Sequence, residues 1–228
     1  MIDPRDILTK TEWILTGGQG WNSFFGAHER AIRHASVHNW FIQPESEARL
    51  FEEIENCGSN VAELDTLMSE STRALLGDIQ RRIAHDYPPR ADIVSEAFEL
   101  HREGRYLACI PLMLATAEGI GRDDTGKSLF NVHQNRPEIA GWIEKNPERH
   151  HGITFLSALM ESHPMAKPRP GFLSRHQVLH GRQLDYGSEL FSLQAISLVG
   201  FVGWAFSDDG LISPQDIAAR KRSSSHRA

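Results

Sequence analysis

The chain has few cysteines, little excess charge and no apolar run long enough to cross a membrane. Cys57 and Cys109 are too few for a disulfide framework. The balance of 24 basic and 30 acidic residues lacks the basic excess of a general polyanion binder. The longest apolar run, Tyr106 to Ala117, is shorter than a membrane span and contains Pro111. No signal-peptide pattern is visible, so we expect a cytoplasmic protein that does not enter a membrane.

Apolar residues recur at helical spacing along most of the sequence. Between Asn60 and Tyr87 they follow intervals of three and four, which predicts one helix with one buried stripe. The stripe consists of Val61, Leu64, Met68, Thr72, Leu75, Ile79 and Ile83. Asn60 followed by Glu63 has the form of a capping box, and the prolines after Tyr87 predict the end of the helix.

The remaining segments also favour helices. We expect them at about 27–42, 44–56, 89–103, 105–121, 136–146, 149–162 and 188–206. No alternating pattern of strands is present, so the predicted fold class is all-α. The last of these helices is apolar around most of its circumference, which predicts burial against several neighbours or a place in a dimer interface.

The prolines after Tyr87 also suggest a division of the chain. We predict a helical region of unknown role at 1–87, a helical bundle at 88–210 and a polar tail at 211–228. The composition of the tail favours disorder.

Charged and proton-exchanging side chains are concentrated in one short segment before the last helix. Arg175, His176, His180 and Arg182 stand there, after a proline-rich loop. Arginine is a fixed cation, whereas histidine exchanges protons near neutral pH. A neutral imidazole can accept the proton of an RNA 2′-hydroxyl while a guanidinium stabilises the charge that grows on the phosphoryl oxygens. Because the nucleophile belongs to the RNA, this chemistry requires no metal or cofactor, and DNA would not react.

The spacing within this segment sets a geometric condition. Arg175 and His180 are five positions apart, so they point about 140° away from each other on a regular helix. Three arrangements would bring them to one substrate. Arg175 could lie at the helix start with a non-helical backbone, its long side chain could reach around the helix, or two chains could complete each other's site.

Glu118 is the only charged residue between Tyr106 and Ile120, in an otherwise apolar helix. A carboxylate in such surroundings needs a partner, and Arg175 or a histidine of the same segment would serve. The alternatives are an ion pair that only joins two helices, or a side chain that faces solvent at the helix end.

A metal site is an alternative interpretation of the histidines. His176 and His180 have the i, i+4 spacing of zinc-binding pairs. No glutamate follows the first histidine as in metalloproteases, and no nearby Asp, Glu or Cys completes a ligand set. His150, His151 and His163 could supply a third ligand only through the fold. A metal-dependent hydrolase therefore stays open as an alternative.

The run from Arg175 to His180 resembles the Arg-x4–6-His motif of the HEPN superfamily, in which a polar residue, here His176, follows the arginine. Residues 105–119 resemble the earlier helix of that family with its inward acidic residue. Residues 172–181 and 185–187, followed by 192–198, resemble the motif helix and its successor. The resemblance covers approximately residues 89–206.

This resemblance implies a helical bundle that forms a homodimer and acts as a metal-independent endoribonuclease in toxin, phage-defence or RNA-processing settings. It implies that Arg175 and His180 are catalytic, that His176 supports them and that Glu118 is the acidic partner. Arg182, together with Lys167 and Arg169, would line the cleft and bind RNA. An antitoxin or another defence-system protein is a candidate partner. Some members of the superfamily have lost catalysis, so a module that only binds nucleotide or RNA is the main alternative.

Overall fold

The computed structural model describes residues 21–129, 132–133, 136–139, 141–142 and 171–207. These residues are mostly helical, as the all-α prediction requires. The helices are α1 (Trp21–Val37), α2 (Arg49–Asn56), α3 (Val61–Ala74), α4 (Leu76–Asp86), α5 (Ala91–Arg102), α6 (Tyr106–Thr125), α7 (Arg175–Leu179) and α8 (Glu189–Phe206). A 3-10 turn, Pro88–Arg90, joins α4 to α5. The helix predicted at 149–162 and the tail at 211–228 lie outside the described residues.

One short pairing replaces the start of the helix predicted at 136–146. Val132–His133 (β1) and Arg136–Pro137 (β2) form a two-residue antiparallel ladder. The prediction is wrong at these first residues because the residue before a proline is pushed out of the helical region and into extended backbone.

The single helix predicted between Asn60 and Tyr87 is in fact two. The start was predicted correctly, since the Asn60 side chain accepts a hydrogen bond from the Glu63 N–H. Leu75 then interrupts the helix, and its N–H bonds back to Thr72 O at 3.1 Å. Gly77, two residues later, has a low helix propensity and lowers the cost of this interruption.

The buried stripe survives the interruption. Its members between Leu64 and Ile83 are buried or partly buried, and only Val61 in the first turn is exposed. A one-residue break leaves the face of α4 turned towards the same core as the face of α3. Both helices therefore pack against α8.

Helix α8 forms the centre of the described bundle. It packs against α6, α4 and α3, and nearly all of its residues are buried. Ser188 caps its start by accepting a hydrogen bond from the Phe191 N–H at 3.2 Å. By length and composition α8 is the one described helix that could cross a membrane, and 78% of it is buried inside the protein. Burial against several neighbours within one chain, one of the two places predicted for this helix, is confirmed.

Residues before α2 bind directly to α8. The Phe41 N–H donates to Ser197 Oγ at 3.3 Å, and Gln43 Nε2 donates to Ser197 O at 2.8 Å. Arg82 of α4 donates to Gly200 O at 2.8 Å and to Gln43 Oε1 at 3.1 Å. The division proposed at residue 87 stays a prediction, and these hydrogen bonds cross it.

Gly200 lies at this contact and has no room for a side chain. A methyl group there would overlap the Gln43 side chain and approach Ile79 Cγ2 at 2.9 Å. We expect Gly200→Ala to lower the free energy of unfolding by about 1–3 kcal/mol, the usual cost of overpacking a core. Gly77→Ala is the matched control, because nothing lies within 4 Å of its added methyl. Urea unfolding should show Gly77→Ala stabilised by up to about 1 kcal/mol. Equal effects of the two changes would contradict the packing.

Candidate functional site

The segment with the arginine and the histidines forms a very short helix. Ser174 caps α7, its Oγ accepting from the Gln177 N–H at 3.4 Å. Arg175 is the first residue of the helix, and His180 is the residue that follows its end. Gly181 then adopts a left-handed backbone with φ 65°, a conformation that glycine adopts without steric cost and that ends helices. Arg175 therefore lies at the helix start, as the first of the three predicted arrangements has it, but its backbone is helical and the extended residue is Ser174. That arrangement is met in position only, and one helical stretch still separates the directions of Arg175 and His180.

Two amide side chains fix the backbone that leads into α7. Gln183 accepts a hydrogen bond from the Ser174 N–H at 3.0 Å and donates to Phe172 O at 3.1 Å. From the other side, Asn39 Nδ2 donates to Leu173 O at 3.0 Å. Asn39 is fully buried and has a left-handed backbone with φ 65°, which asparagine tolerates better than most residues. The start of α7 is therefore held from both sides.

The Asn39 contact predicts a local effect on α7. Asn39→Gly permits the same left-handed backbone but removes the hydrogen bond to Leu173. We expect the amides of α7 to exchange with solvent about fivefold faster, because one net hydrogen bond contributes about 1 kcal/mol. Hydrogen-exchange mass spectrometry would measure this. Asn56→Gly, at an exposed position, is the control, and an equal change in that variant would contradict the role of Asn39.

Glu118 and Arg175 meet between α6 and α7. Arg175 Nη2 lies 3.4 Å from Glu118 Oε2, and each side chain is only 13% exposed. The partner that the sequence required for Glu118 is thus Arg175. The pair holds the guanidinium at the edge of the bundle, with little freedom to turn away from α6. The chemical role of each residue stays a proposal.

Two further arginines, which sequence reasoning missed, lie beside this pair. Arg90 places its guanidinium against the backbone of Gly119, where a methyl group would overlap it, and pairs with Asp123. Arg122 is exposed and lies four residues after Glu118, so it is on the same face of α6 one turn later. The i, i+4 spacing from Glu118 could have identified Arg122, whereas nothing in the sequence relates Arg90 to Gly119.

The two histidines of the segment are exposed neighbours. The ring centroids of His176 and His180 lie 4.3 Å apart at an interplanar angle of 56°. The pKa of His176 is lowered from its ordinary value. The largest cause is the slight desolvation of its ring by the protein, and the positive charges of His180, Arg182 and Arg175 add to it. His176 is therefore neutral at pH 7 and able to accept a proton. Arg182 is exposed nearby, while Lys167 and Arg169 lie outside the described residues.

The surface around α7 also carries exposed apolar side chains. Leu179 is 37% exposed and Leu184 is 80% exposed. Leu107, at the start of α6, is 57% exposed and packs against Gly187, while its carbonyl accepts a hydrogen bond from the Tyr186 hydroxyl at 3.0 Å. Apolar groups grouped beside charged ones are typical of surfaces that meet another protein chain.

The metal alternative finds no complete ligand set in the part of the chain that the structure describes. No three His, Cys, Asp or Glu side chains are arranged there so that they could hold a metal ion, and no third ligand joins His176 and His180 among these residues. His150, His151 and His163 lie outside the described residues.

A second group of reactive side chains is enclosed in the core. Ser192 of α8 lies 2.8 Å from His101 Nδ1 and 3.3 Å from Cys109 Sγ. Burial lowers the pKa of His101 and raises the pKa of the Cys109 thiol, so both are neutral at pH 7. These contacts join α5, α6 and α8 below the protein surface, where a substrate has no access.

No family model, curated protein or solved structure matches the chain. The resemblance of the segment at 175–180 to the HEPN motif therefore stands on the residues themselves.

Proposed function

We propose that this protein is a metal-independent endoribonuclease of the HEPN type that acts as a homodimer. One observation carries the proposal: Glu118 holds the Arg175 guanidinium at the start of a five-residue helix whose second residue, His176, and the residue after its end, His180, are exposed and in contact. A fixed cation next to a neutral imidazole is the combination that cleavage by a 2′-hydroxyl requires.

The reaction begins with the RNA held by its phosphate at Arg175. His180 accepts the 2′-hydroxyl proton, and the oxygen attacks the adjacent phosphorus to give a cyclic phosphate. The 5′-oxygen of the next nucleotide leaves and takes a proton from water, and His180 then returns its own proton to the solvent. Arg175 stabilises the additional charge on the phosphoryl oxygens. Because its pKa is lowered, His176 rarely carries a second proton and is a poor general acid in the resting protein. It is better suited to donate a hydrogen bond from its neutral N–H group to the phosphate. Arg182 and Arg122 are exposed and would bind the neighbouring phosphates.

A second copy of the chain completes the site in this proposal. Arg175 is drawn towards α6 by Glu118, whereas His180 lies beyond the end of α7 on the exposed surface. Two chains related by a two-fold axis would place the Arg175 of one near the His180 of the other, in an isologous contact. The exposed Leu179 and Leu184 give this contact apolar surface to bury. We place such an enzyme in a toxin, phage-defence or RNA-processing role.

One observation favours a second candidate, a module that binds RNA or nucleotide without cleaving it. Arg175 is only 13% exposed, and Glu118 already neutralises much of its charge. A guanidinium held in this way contributes to a docking surface but gives a phosphoryl group weaker stabilisation. For such a module we expect RNA to bind without forming any cleavage product.

The chemistry of the product separates the candidates. We expect the purified protein to cut RNA in EDTA and to leave a 2′,3′-cyclic phosphate, because the 2′-oxygen is the nucleophile. An oligonucleotide with one 2′-deoxy nucleotide at the cleaved position should stay intact there and be cut elsewhere. Gel and mass analysis of the products would measure both results. Cleavage abolished by EDTA would favour the metal-dependent hydrolase, and binding without cleavage would favour the silent module.

A further inference from the structure

A groove runs between α2 and α3, on a part of the protein that the proposed ribonuclease chemistry does not use. It consists of two adjoining cavities of about 400 Å³ and about 390 Å³, which share Glu53, Leu67 and Glu70 in their linings. Leu50, Leu67 and Leu75 give the groove an apolar lining. Cavities of this size accommodate several side chains of a bound peptide.

The polar lining of the groove is strongly acidic. Its charged residues are one arginine, Arg49, and five glutamates, namely Glu45, Glu47, Glu53, Glu63 and Glu70. Arg49 is already engaged by Glu47 at 2.7 Å and by Glu53 at 3.9 Å. The lining therefore keeps a negative excess around an apolar centre. A chain segment that combines apolar side chains with several positive charges is complementary to it.

The protein contains a segment of this composition after α8. Arg220-Lys221-Arg222 is the only run of three lysines or arginines in the sequence, and Leu211, Ile212 and Ile217 precede it. Three consecutive positive charges match the acidic lining, and the aliphatic side chains match the leucines between the glutamates.

The end of α8 lies within reach of the groove. Arg82 donates both to Gly200 O at 2.8 Å and to the groove residue Glu45 at 2.7 Å, so one arginine side chain connects the helix to the groove. From Gly200 to Ser207 the helical rise is about 10 Å. A stretch as long as the one between Ser207 and Arg220 can reach at most about 43 Å.

We propose that the groove between α2 and α3 binds the chain's own basic segment, residues 211–222. Each exposed ion pair contributes little alone, but a tether of this length raises the local concentration of the segment to about the millimolar range. Several weak pairs and a few apolar contacts are then enough for the segment to occupy the groove much of the time. This docking does not depend on the ribonuclease proposal.

Carbodiimide coupling of the full-length protein tests the proposal. The reagent joins a carboxylate to an amine that touches it, and Lys221 is the only lysine of the segment. We expect peptide mapping by mass spectrometry to find Lys221 coupled to Glu53 or Glu70. The yield should fall several-fold in about 1 M salt, where charges are screened beyond about 3 Å.

Matched variants identify the contact. Glu53→Gln with Glu70→Gln should lower the total yield of Lys221 products several-fold. Glu52→Gln with Glu96→Gln, at exposed positions outside the groove, should leave it unchanged. Coupling of Lys221 to Glu52 or Glu96 as often as to the groove would overturn the proposal, as would the absence of any Lys221 product. A mixture of light and isotope-labelled protein tests the intrachain assignment, and products that join a light to a labelled chain would overturn it.

Discussion

Arg175→Ala and His180→Ala are each expected to lower the rate of RNA cleavage by at least about 100-fold. A general base contributes about 10²–10⁴ in rate, and a preorganised donor to a developing oxyanion contributes about 10²–10³. The proposal gives the first role to His180 and the second to Arg175. Initial rates of cleavage of a labelled RNA in EDTA would measure both losses.

Controls must separate lost chemistry from lost structure. Arg175→Ala leaves the Glu118 carboxylate without its cation in surroundings that are only 13% exposed, which lowers stability as well as activity. Arg175→Lys retains a positive charge against Glu118 but cannot give a phosphate the forked hydrogen bonds of a guanidinium, so it should fold normally and still lose most activity. Arg102→Ala and His85→Ala alter exposed residues of the same types and should leave the rate unchanged. Full activity in the folded Arg175→Lys and His180→Ala variants would refute the assignment.

The sequence predicted those features that depend on a single energetic requirement. A carboxylate inside the apolar helix at 105–121 had to find a cation, and Glu118 lies against Arg175. A helix apolar around most of its circumference had to be enclosed, and α8 is buried by α3, α4 and α6. A buried carboxylate without a cation, or an apolar helix exposed to water, would cost more free energy than a change in the local backbone could recover. The assignment of these elements to the HEPN bundle remains a proposal.

Other features depend on backbone details that spacing does not encode. The interruption at Leu75 leaves the buried stripe unchanged, so periodicity alone predicts one helix where there are two. The hydrogen bond from Asn39 to Leu173 joins residues 134 positions apart and requires a left-handed backbone at Asn39. No pattern within one segment can predict such a contact. The site at α7 is therefore predictable in its residue types but not in the supports that orient it.

Mixing two inactive variants is expected to restore activity if each site takes Arg175 from one chain and His180 from the other. In a dimer of one Arg175→Lys chain and one His180→Ala chain, one site then keeps both native residues and the other has lost both. Random exchange makes half of the dimers mixed, and each mixed dimer has one intact site of two. The mixture should thus recover about a quarter of the wild-type rate.

The same mixture distinguishes this arrangement from a site within one chain. If Arg175 and His180 of the same chain acted together, every site in the mixed dimer would lack one of them and the activity would stay at the level of the separate variants. Subunit exchange must be shown independently, for example by native mass spectrometry of light and isotope-labelled chains. Mixed dimers without recovered activity would refute the shared site. Recovery in proportion to the fraction of mixed dimers would support it. The structure favours this outcome, because α7 presents Arg175 towards α6 and leaves His180 exposed at its end.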